Sequence, residues 1–393
     1  MRKISIILLS AALAACTQAP SPLSFRVVQS EMARCPEASY LDGLEGKLKW
    51  NYTTGLELKA FLDVYCHSER SEESILQYAD AWYDAIIDSS GAIGVNYKKG
   101  NYSLDHICPG RTLFQLYDLT GKQKYRVAMD TLYSQLQEQP RTPEGGFFHK
   151  KIYPDQMWLD GLYMAQPFYA EYTARYVKDS LQREENYRDI VSQFTLVYDH
   201  TYDPATGLLR HAWDSSHQMF WCNPETGQSA HAWGRALGWY AMALVDVAEI
   251  LPDGPHKDTL IGLLASLYNV LPLYADAETG MWFQVLDCPY REGNYLEATC
   301  SAMFTYAWLK GVRLGFLGGR DAALQSYGSL LDSFVRKDGE GLLNLDSCCE
   351  VAGLGGKDGR RGDYEYYINE PVRSNDPKGI GPLVWAALEY ERL

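Results

Sequence analysis

Within the stretch Gly145 to Phe168, GGFFHKKIYPDQMWLDGLYMAQPF, the residues His149, Lys150, Asp155, Trp158 and Asp160 fall close together just ahead of an apolar run with helical period. Asp160 is expected in the first turn of that helix. A carboxyl group at the mouth of an apolar helix, flanked by Met157 and Trp158, loses hydration, and desolvation disfavours its charged form. Such a group can carry a proton near neutral pH, as general acid catalysis requires. An Asp at a helix start also serves as a cap or a dipole partner, so position alone does not decide between chemistry and structure. The indole beside it suits the apolar face of a sugar ring.

Other residues repeat the theme in separate segments. Trp50 and Tyr52 precede one predicted helix and Asp105 precedes another, while His211, Trp213 and Asp214 lie in HAWD. In WGRALGWYAMAL, Arg235 and Trp239 stand at i and i+4, so they project from one face of their helix, with Trp233 just before. A guanidinium between indoles suits a ring that carries a carboxylate, which it grips as a fork.

The elements that must carry these residues are helices. Apolar residues recur at helical spacing over 25–35, 52–67, 71–89, 109–119, 122–138, 157–176, 183–201, 231–250, 256–275, 296–316, 319–336 and 379–393. Gly, Pro and aromatic residues concentrate in alternate connections, and the remaining connections are short. Twelve helices with the long loops on alternate links predict an all-α (α/α)6 barrel, a toroid of six hairpins whose long loops share one end and build the pocket. No Pro- or Ser-rich linker divides the chain, so 25–393 is expected to form one domain.

Of the 393 residues, 46% are hydrophobic, with 29 Tyr and 10 Trp, enough for a sizeable core. A net charge of −14 argues against a nucleic-acid partner, because phosphate binding needs clustered Lys and Arg. The chain opens with Arg2, Lys3 and an apolar run too short to span a bilayer, then LAAC. These features predict a signal peptide over 1–15, a lipidated mature terminus at Cys16 and a tether over 16–24. The expected location is the cell envelope, anchored by lipid to the outer membrane of a Gram-negative bacterium. The other eight cysteines show no CxxC spacing and are read as free thiols, most of them buried. No motif for a metal or an organic cofactor is visible, and none is expected.

Five blocks in order, GGFFHKKIYPDQMWLDGLYMAQPF, WGRALGWYAMALVDV, MWFQVLD, GNYLEATCSAMF and YYINEPVRSNDPKGIGPLVWA, together resemble glycoside hydrolase family 105, the unsaturated rhamnogalacturonyl hydrolases, which are related to the unsaturated glucuronyl hydrolases of family 88. The resemblance runs from about Trp50 to the C-terminus. It implies the (α/α)6 barrel and removal of a 4,5-unsaturated uronic acid from the non-reducing end of oligosaccharides released by a polysaccharide lyase. It implies Asp160 as general acid/base and Asp105 as the second pocket carboxylate. His149, Lys150, Trp158, His211, Trp213, Trp233, Arg235 and Trp239 are expected to line the sugar site, with Trp50 and Tyr52 from the less similar N-terminal part. Ala236 and Leu237 stand where many relatives have Gly and Asn. The implied chemistry is hydration of the C4=C5 enol ether rather than attack at the anomeric carbon. The expected partner is the unsaturated oligosaccharide, and the chain is expected to be a monomer or a weak homo-oligomer. Three alternatives share some of these features: a glycosaminoglycan-type unsaturated glucuronyl hydrolase, an inverting glycosidase that uses Asp160 and Asp105 as a pair, and a glycan-binding lipoprotein without catalysis.

Overall fold

A computed structural model describes residues 21–67 and 73–393. The expected signal peptide, Cys16 and most of the tether lie outside the described residues. Twelve long helices answer the twelve periodic segments: α1 (Leu23–Arg34), α2 (Tyr52–His67), α3 (Glu73–Ile86), α4 (Gly110–Thr120), α5 (Gln123–Gln137), α6 (Leu159–Tyr176), α7 (Ser180–Thr201), α8 (Gly234–Ile250), α9 (Pro255–Val270), α10 (Ala298–Arg313) and α11 (Arg320–Phe334), then a short α12 (Tyr364–Ile368) before the last long helix, α13 (Pro377–Arg392). The tether expectation ends too late, since Leu23 and Ser24 already belong to α1.

Six of these helices form a closed inner ring. α2, α4, α6, α8, α10 and α13 pack each against the next, and α13 returns to α2. α3, α5, α7, α9 and α11 each cover the inner helix that precedes them, while α1, the first helix, covers α13, the last. The Ser24 hydroxyl donates to Glu391 at 2.7 Å where those two meet. The result is the (α/α)6 toroid that the periodicity predicts.

Ring closure requires inner helices that are apolar on nearly all sides. In α8 every residue from Gly234 to Ala248 is buried. Gly238 lets α8 approach α10, because a Cβ there would stand 2.6 Å from the Met303 sulfur. At the end of the barrel away from the long loops, the interior is polar and internally paired. Asp246 takes Arg111 at 2.9 Å and Lys310 at 2.7 Å, and the Tyr306 hydroxyl donates to it at 2.6 Å.

Short strands trim the loops. β1 (Gln156–Trp158) pairs antiparallel with β2 (Ala212–Asp214), in the register Gln156 to Asp214 and Trp158 to Ala212. Two further ribbons, β3 (Val335–Lys337) with β4 (Leu343–Leu345) and β5 (Cys348–Cys349) with β6 (Val372–Arg373), fold the last long loop back over the barrel mouth. β1 takes Met157 and Trp158 out of the helix predicted over 157–176. The segment read as the end of a helix at 87–89 is instead a turn, in which the Asp88 carboxylate accepts from the backbone of Ser90 and Ala92.

Candidate active site

Each long loop runs into the N-terminal end of an inner helix, so those six ends face one mouth. Asp160 is the second residue of α6 and Arg235 the second of α8, while Tyr52 opens α2. Glu297 and Asp376 are the N-caps of α10 and α13. Asp105 sits in the 3-10 turn Leu104–His106 just ahead of α4.

Backbone pairing explains how residues distant in sequence meet here. The Leu104 amide donates to the His149 carbonyl at 3.0 Å, and the His149 amide donates to the Gln156 carbonyl at 2.8 Å. That lacing holds Asp105 against its two partners: His149 Nε2 stands 3.4 Å from Asp105 Oδ1, and Lys150 Nζ stands 2.5 Å from Oδ2. Pairing of β1 with β2 brings the Leu159 amide to the His211 carbonyl at 3.1 Å, so His211 faces the first turn of α6. His211 Nε2 then lies 3.1 Å from Asp160 Oδ2. Although close, the two atoms are off the hydrogen-bond axis, and both are buried without an aligned partner. On the other side of the imidazole, Nδ1 is 2.7 Å from the Tyr367 hydroxyl. Gly161 makes room for His149, since a Cβ there would sit 3.1 Å from its Nδ1.

The carboxyls and their cations set one another's charge. Burial pushes the Asp105 carboxyl up, but the Lys150 charge and His149 outweigh it and hold the group below the usual carboxylate range. Lys150 is correspondingly held above its ordinary value, with Asp105 overcoming burial. The His149 imidazole is pushed down to about 4, chiefly by burial. For Asp160, burial raises the carboxyl, yet His211 and then His149 bring the balance below the ordinary range. The expectation of a proton on Asp160 near neutrality is therefore not met by the chain's own groups. His211, which desolvation of Asp160 alone left out of account, reverses the sign.

Arg235 is buried, with its guanidinium 4.7 Å from the Trp233 ring centroid and Nη1 donating to the Cys349 carbonyl. Among the described residues no carboxylate lies within ion-pair distance of it. Trp233 packs on Tyr367 and His211, and Trp239 packs on Tyr163 and Tyr52. Tyr52 lines one cleft with Asp105.

Three indoles expected to offer sugar-stacking faces are otherwise engaged. Trp158 stacks on His149 at 4.6 Å and on Tyr153 at 5.3 Å. Trp50 packs among Trp82, Tyr83 and Tyr97 and donates to the His106 carbonyl, so it buttresses the turn that carries Asp105. Trp213 stacks on His200 of α7 at 3.6 Å, away from the His211 that precedes it. In HAWD, Asp214 is structural, accepting from the backbone amides of Ser216, Gln218 and Met219. Beside Asp105 a cleft of about 350 Å³ continues outward, lined by Asn51, Tyr52, His106, Glu350 and Arg373 among others. Tyr153, Tyr367 and Glu350 had no assigned place in the sequence reading, although Tyr367 lies in the block YYINEPVRSNDPKGIGPLVWA.

All eight described cysteines are free thiols: four are buried and one, Cys66, is exposed. The fold does bring Cys288 and Asp287 to His231, a grouping of metal-ligand types that spacing along the chain hides. Arg210 Nη1 already occupies Asp287 Oδ2 at 2.7 Å, so a cation is in place without a metal ion.

A helical toroid with two carboxylates, two imidazoles and an arginine at its loop end defines the class of six-hairpin glycosidases. Comparison with known proteins gives the family. The family model described as Glycosyl Hydrolase Family 88 matches residues 23–393. A solved glycoside hydrolase of family 105 from Clostridium acetobutylicum is 41% identical, covering 95% of this chain and 100% of its own, with a TM-score of 0.89. Protein Atu3128 of Agrobacterium fabrum is 40% identical over 58% of this chain and 97% of its own length. The unsaturated rhamnogalacturonyl hydrolase YesR of Bacillus subtilis is 26% identical over 75% of this chain and 76% of its own. A solved unsaturated glucuronyl hydrolase specific for heparin shares the fold at 13% identity and a TM-score of 0.63. The chain belongs to glycosyl hydrolase family 88, in the branch described as family 105.

Proposed function

We propose that this glycosidase removes a 4,5-unsaturated galacturonic acid from the non-reducing end of rhamnogalacturonan or pectin oligosaccharides left by a lyase. The observation that carries the reading is Asp160: a half-buried carboxylate at a helix start, with Oδ2 3.1 Å from His211 Nε2 and no aligned donor. Arg235, buried and without a carboxylate partner, supplies the matching grip for the uronate.

The chemistry follows from the enol ether. Asp160 in its protonated form gives its proton to C4, the C4=C5 π electrons form the new C4–H bond, and positive charge at C5 is shared with the ring oxygen. Water adds to C5 and its proton returns to the Asp160 carboxylate. The hemiketal at C5 then opens, and the bond from C1 to the leaving sugar breaks. A uronate arriving beside Asp160 adds negative charge and raises its proton affinity, which supplies the protonation that the chain's own groups oppose. Asp105, held anionic by Lys150, adds to that effect.

A glycosaminoglycan substrate is the second reading, and the cleft beside Asp105 speaks against it. Glu350 and Asp42 face that cleft, and Arg373 there is already paired with Asp42 and Asp376. Lys49 also lines the cleft, so sulfate groups on the leaving sugar would meet two carboxylates and one lysine, unpaired among the described residues, rather than a free guanidinium. The test is Asp160→Asn, assayed on lyase-generated rhamnogalacturonan, pectin and chondroitin oligomers by loss of ultraviolet absorbance of the double bond. Turnover should fall at least about a thousandfold. In heavy water, wild-type product should carry deuterium at C4, and a product without it overturns the hydration mechanism.

A further inference from the structure

We infer that Tyr367 is a positioning residue: whenever the His211 imidazole is neutral, the Tyr367 hydroxyl selects the tautomer with hydrogen on Nε2, and thereby decides which oxygen of Asp160 carries the reactive proton. This rests on Asp160 being the proton donor. The tautomer itself does not depend on that role.

His211 and Tyr367 are both fully buried. A phenol has one hydrogen to give, and a neutral imidazole has one donor and one acceptor nitrogen. Among the described residues the Tyr367 hydroxyl has a single partner, His211 Nδ1 at 2.7 Å. If Nδ1 were the donor, the phenol hydrogen would be left buried with no acceptor, which costs about 1 to 3 kcal/mol. The opposite end favours the same assignment. Nε2 stands 3.1 Å from Asp160 Oδ2, where a lone pair facing a carboxylate would be repelled and an N–H attracted.

With hydrogen on Nε2, Oδ2 of Asp160 can only accept from His211. A proton on Asp160 then sits on Oδ1, the oxygen other than the one 3.1 Å from His211. With the other tautomer, Nε2 would accept the Asp160 proton from Oδ2 and hold it away from C4. Tyr367 is itself held in place. Its ring stacks on Trp233 at 5.8 Å, and its carbonyl accepts from Gln284 at 3.2 Å, whose own Oε1 accepts from the Trp233 indole. The phenol that sets the tautomer and the indole beside Arg235 thus form one unit.

The direct test is nitrogen NMR of histidine-labelled wild-type protein, with the His211 signal identified by its loss in His211→Gln. A protonated Nε2 and an unprotonated, hydrogen-bonded Nδ1 are expected. A protonated Nδ1 in neutral His211 overturns the inference without touching the proposed function. Tyr367→Phe, which keeps the ring but removes the partner of Nδ1, should shift the His211 Nδ1 signal away from its hydrogen-bonded position and lower kcat at least about tenfold with KM changed less than about threefold. A folded Tyr367→Phe with unchanged kcat and unchanged His211 nitrogen shifts also refutes it. If that variant does not fold, the wild-type spectrum still decides. An active Asp160→Asn would instead overturn the functional reading and leave the tautomer standing.

Discussion

Replacing Arg235 by lysine tests whether the pocket recognises a carboxylate, and the surroundings of Arg235 set the size of the effect. The guanidinium spends one donor on the Cys349 carbonyl, lies over Trp233, and pairs with no carboxylate among the described residues. A substrate carboxylate can therefore take a two-pronged contact. Lysine keeps the charge but offers a point rather than a fork, so about one charge-assisted hydrogen bond is lost, worth about 1.5 to 3 kcal/mol. At about 1.4 kcal/mol per tenfold, kcat/KM should fall about 10- to 150-fold. Loss of the Cys349 contact will also lower stability by about 1 kcal/mol, measurable as a shifted urea midpoint. The two effects separate when the same oligosaccharide is supplied as the uronate methyl ester. On the ester the fork has no anion to hold, and wild type and Arg235→Lys should converge to within about threefold. An equal loss on acid and ester would show that Arg235 acts through the fold alone.

Three more perturbations probe the supports of the site. Gly161→Ala places a Cβ 3.1 Å from His149 Nδ1 and from Leu104 Cδ1; kcat/KM should drop at least about tenfold while the urea midpoint barely moves, since alanine favours the helix, and unchanged kinetics would show that His149 yields freely. The His149 imidazole binds its proton near 6.5 unfolded but only near 4 folded, so its contribution is intact above pH 6.5 and is lost as pH falls to 4, by roughly 3 kcal/mol. His149→Gln should remove that part of the acid destabilisation, and equal pH slopes in denaturant melts of both proteins would refute it. Asp246→Ala leaves Arg111 and Lys310 buried without their shared anion and should cost about 3 to 5 kcal/mol in a urea melt; a loss below about 1 kcal/mol would mean water already screens them.

Periodicity made the barrel legible because an inner helix must be apolar around most of its surface and an outer helix on one side, and both patterns survive in a single sequence. All twelve long helices were visible for that reason. Their starts were less so. Trp158 and Met157 continue the apolar pattern of α6, but ladder partners in β2, more than fifty residues away, draw them into a strand. The residue types of the site were equally legible, and their uses were not. Trp50, Trp213 and Trp158 look alike as aromatic residues in loops, and only the fold shows each ring spent on another protein ring. The link from Tyr367 to His211 spans 156 positions, and no local pattern encodes it.

The carboxylates at the barrel mouth show most directly why geometry was needed. Asp160, Glu297 and Asp376 all stand at the N-terminal ends of inner helices, where partial positive charge of the helix favours an anion. From sequence each could be an acid, a cap or a clamp. Glu297 is consumed as a cap: one oxygen accepts from the Cys300 amide at 2.6 Å and the other from the Cys349 amide at 2.9 Å. Asp376 is consumed too, by the Lys378 amide and by the charges of Lys378 and Arg373. A carboxylate saturated by donors cannot give or take a proton without breaking them. Asp160 differs, since its Oδ2 touches only His211 and lacks an aligned donor, so protonation of this carboxyl group forfeits little. Six helix ends aimed at one mouth favour an anion there, and of these three carboxylates Asp160 is the one that the surrounding donors have left unsaturated.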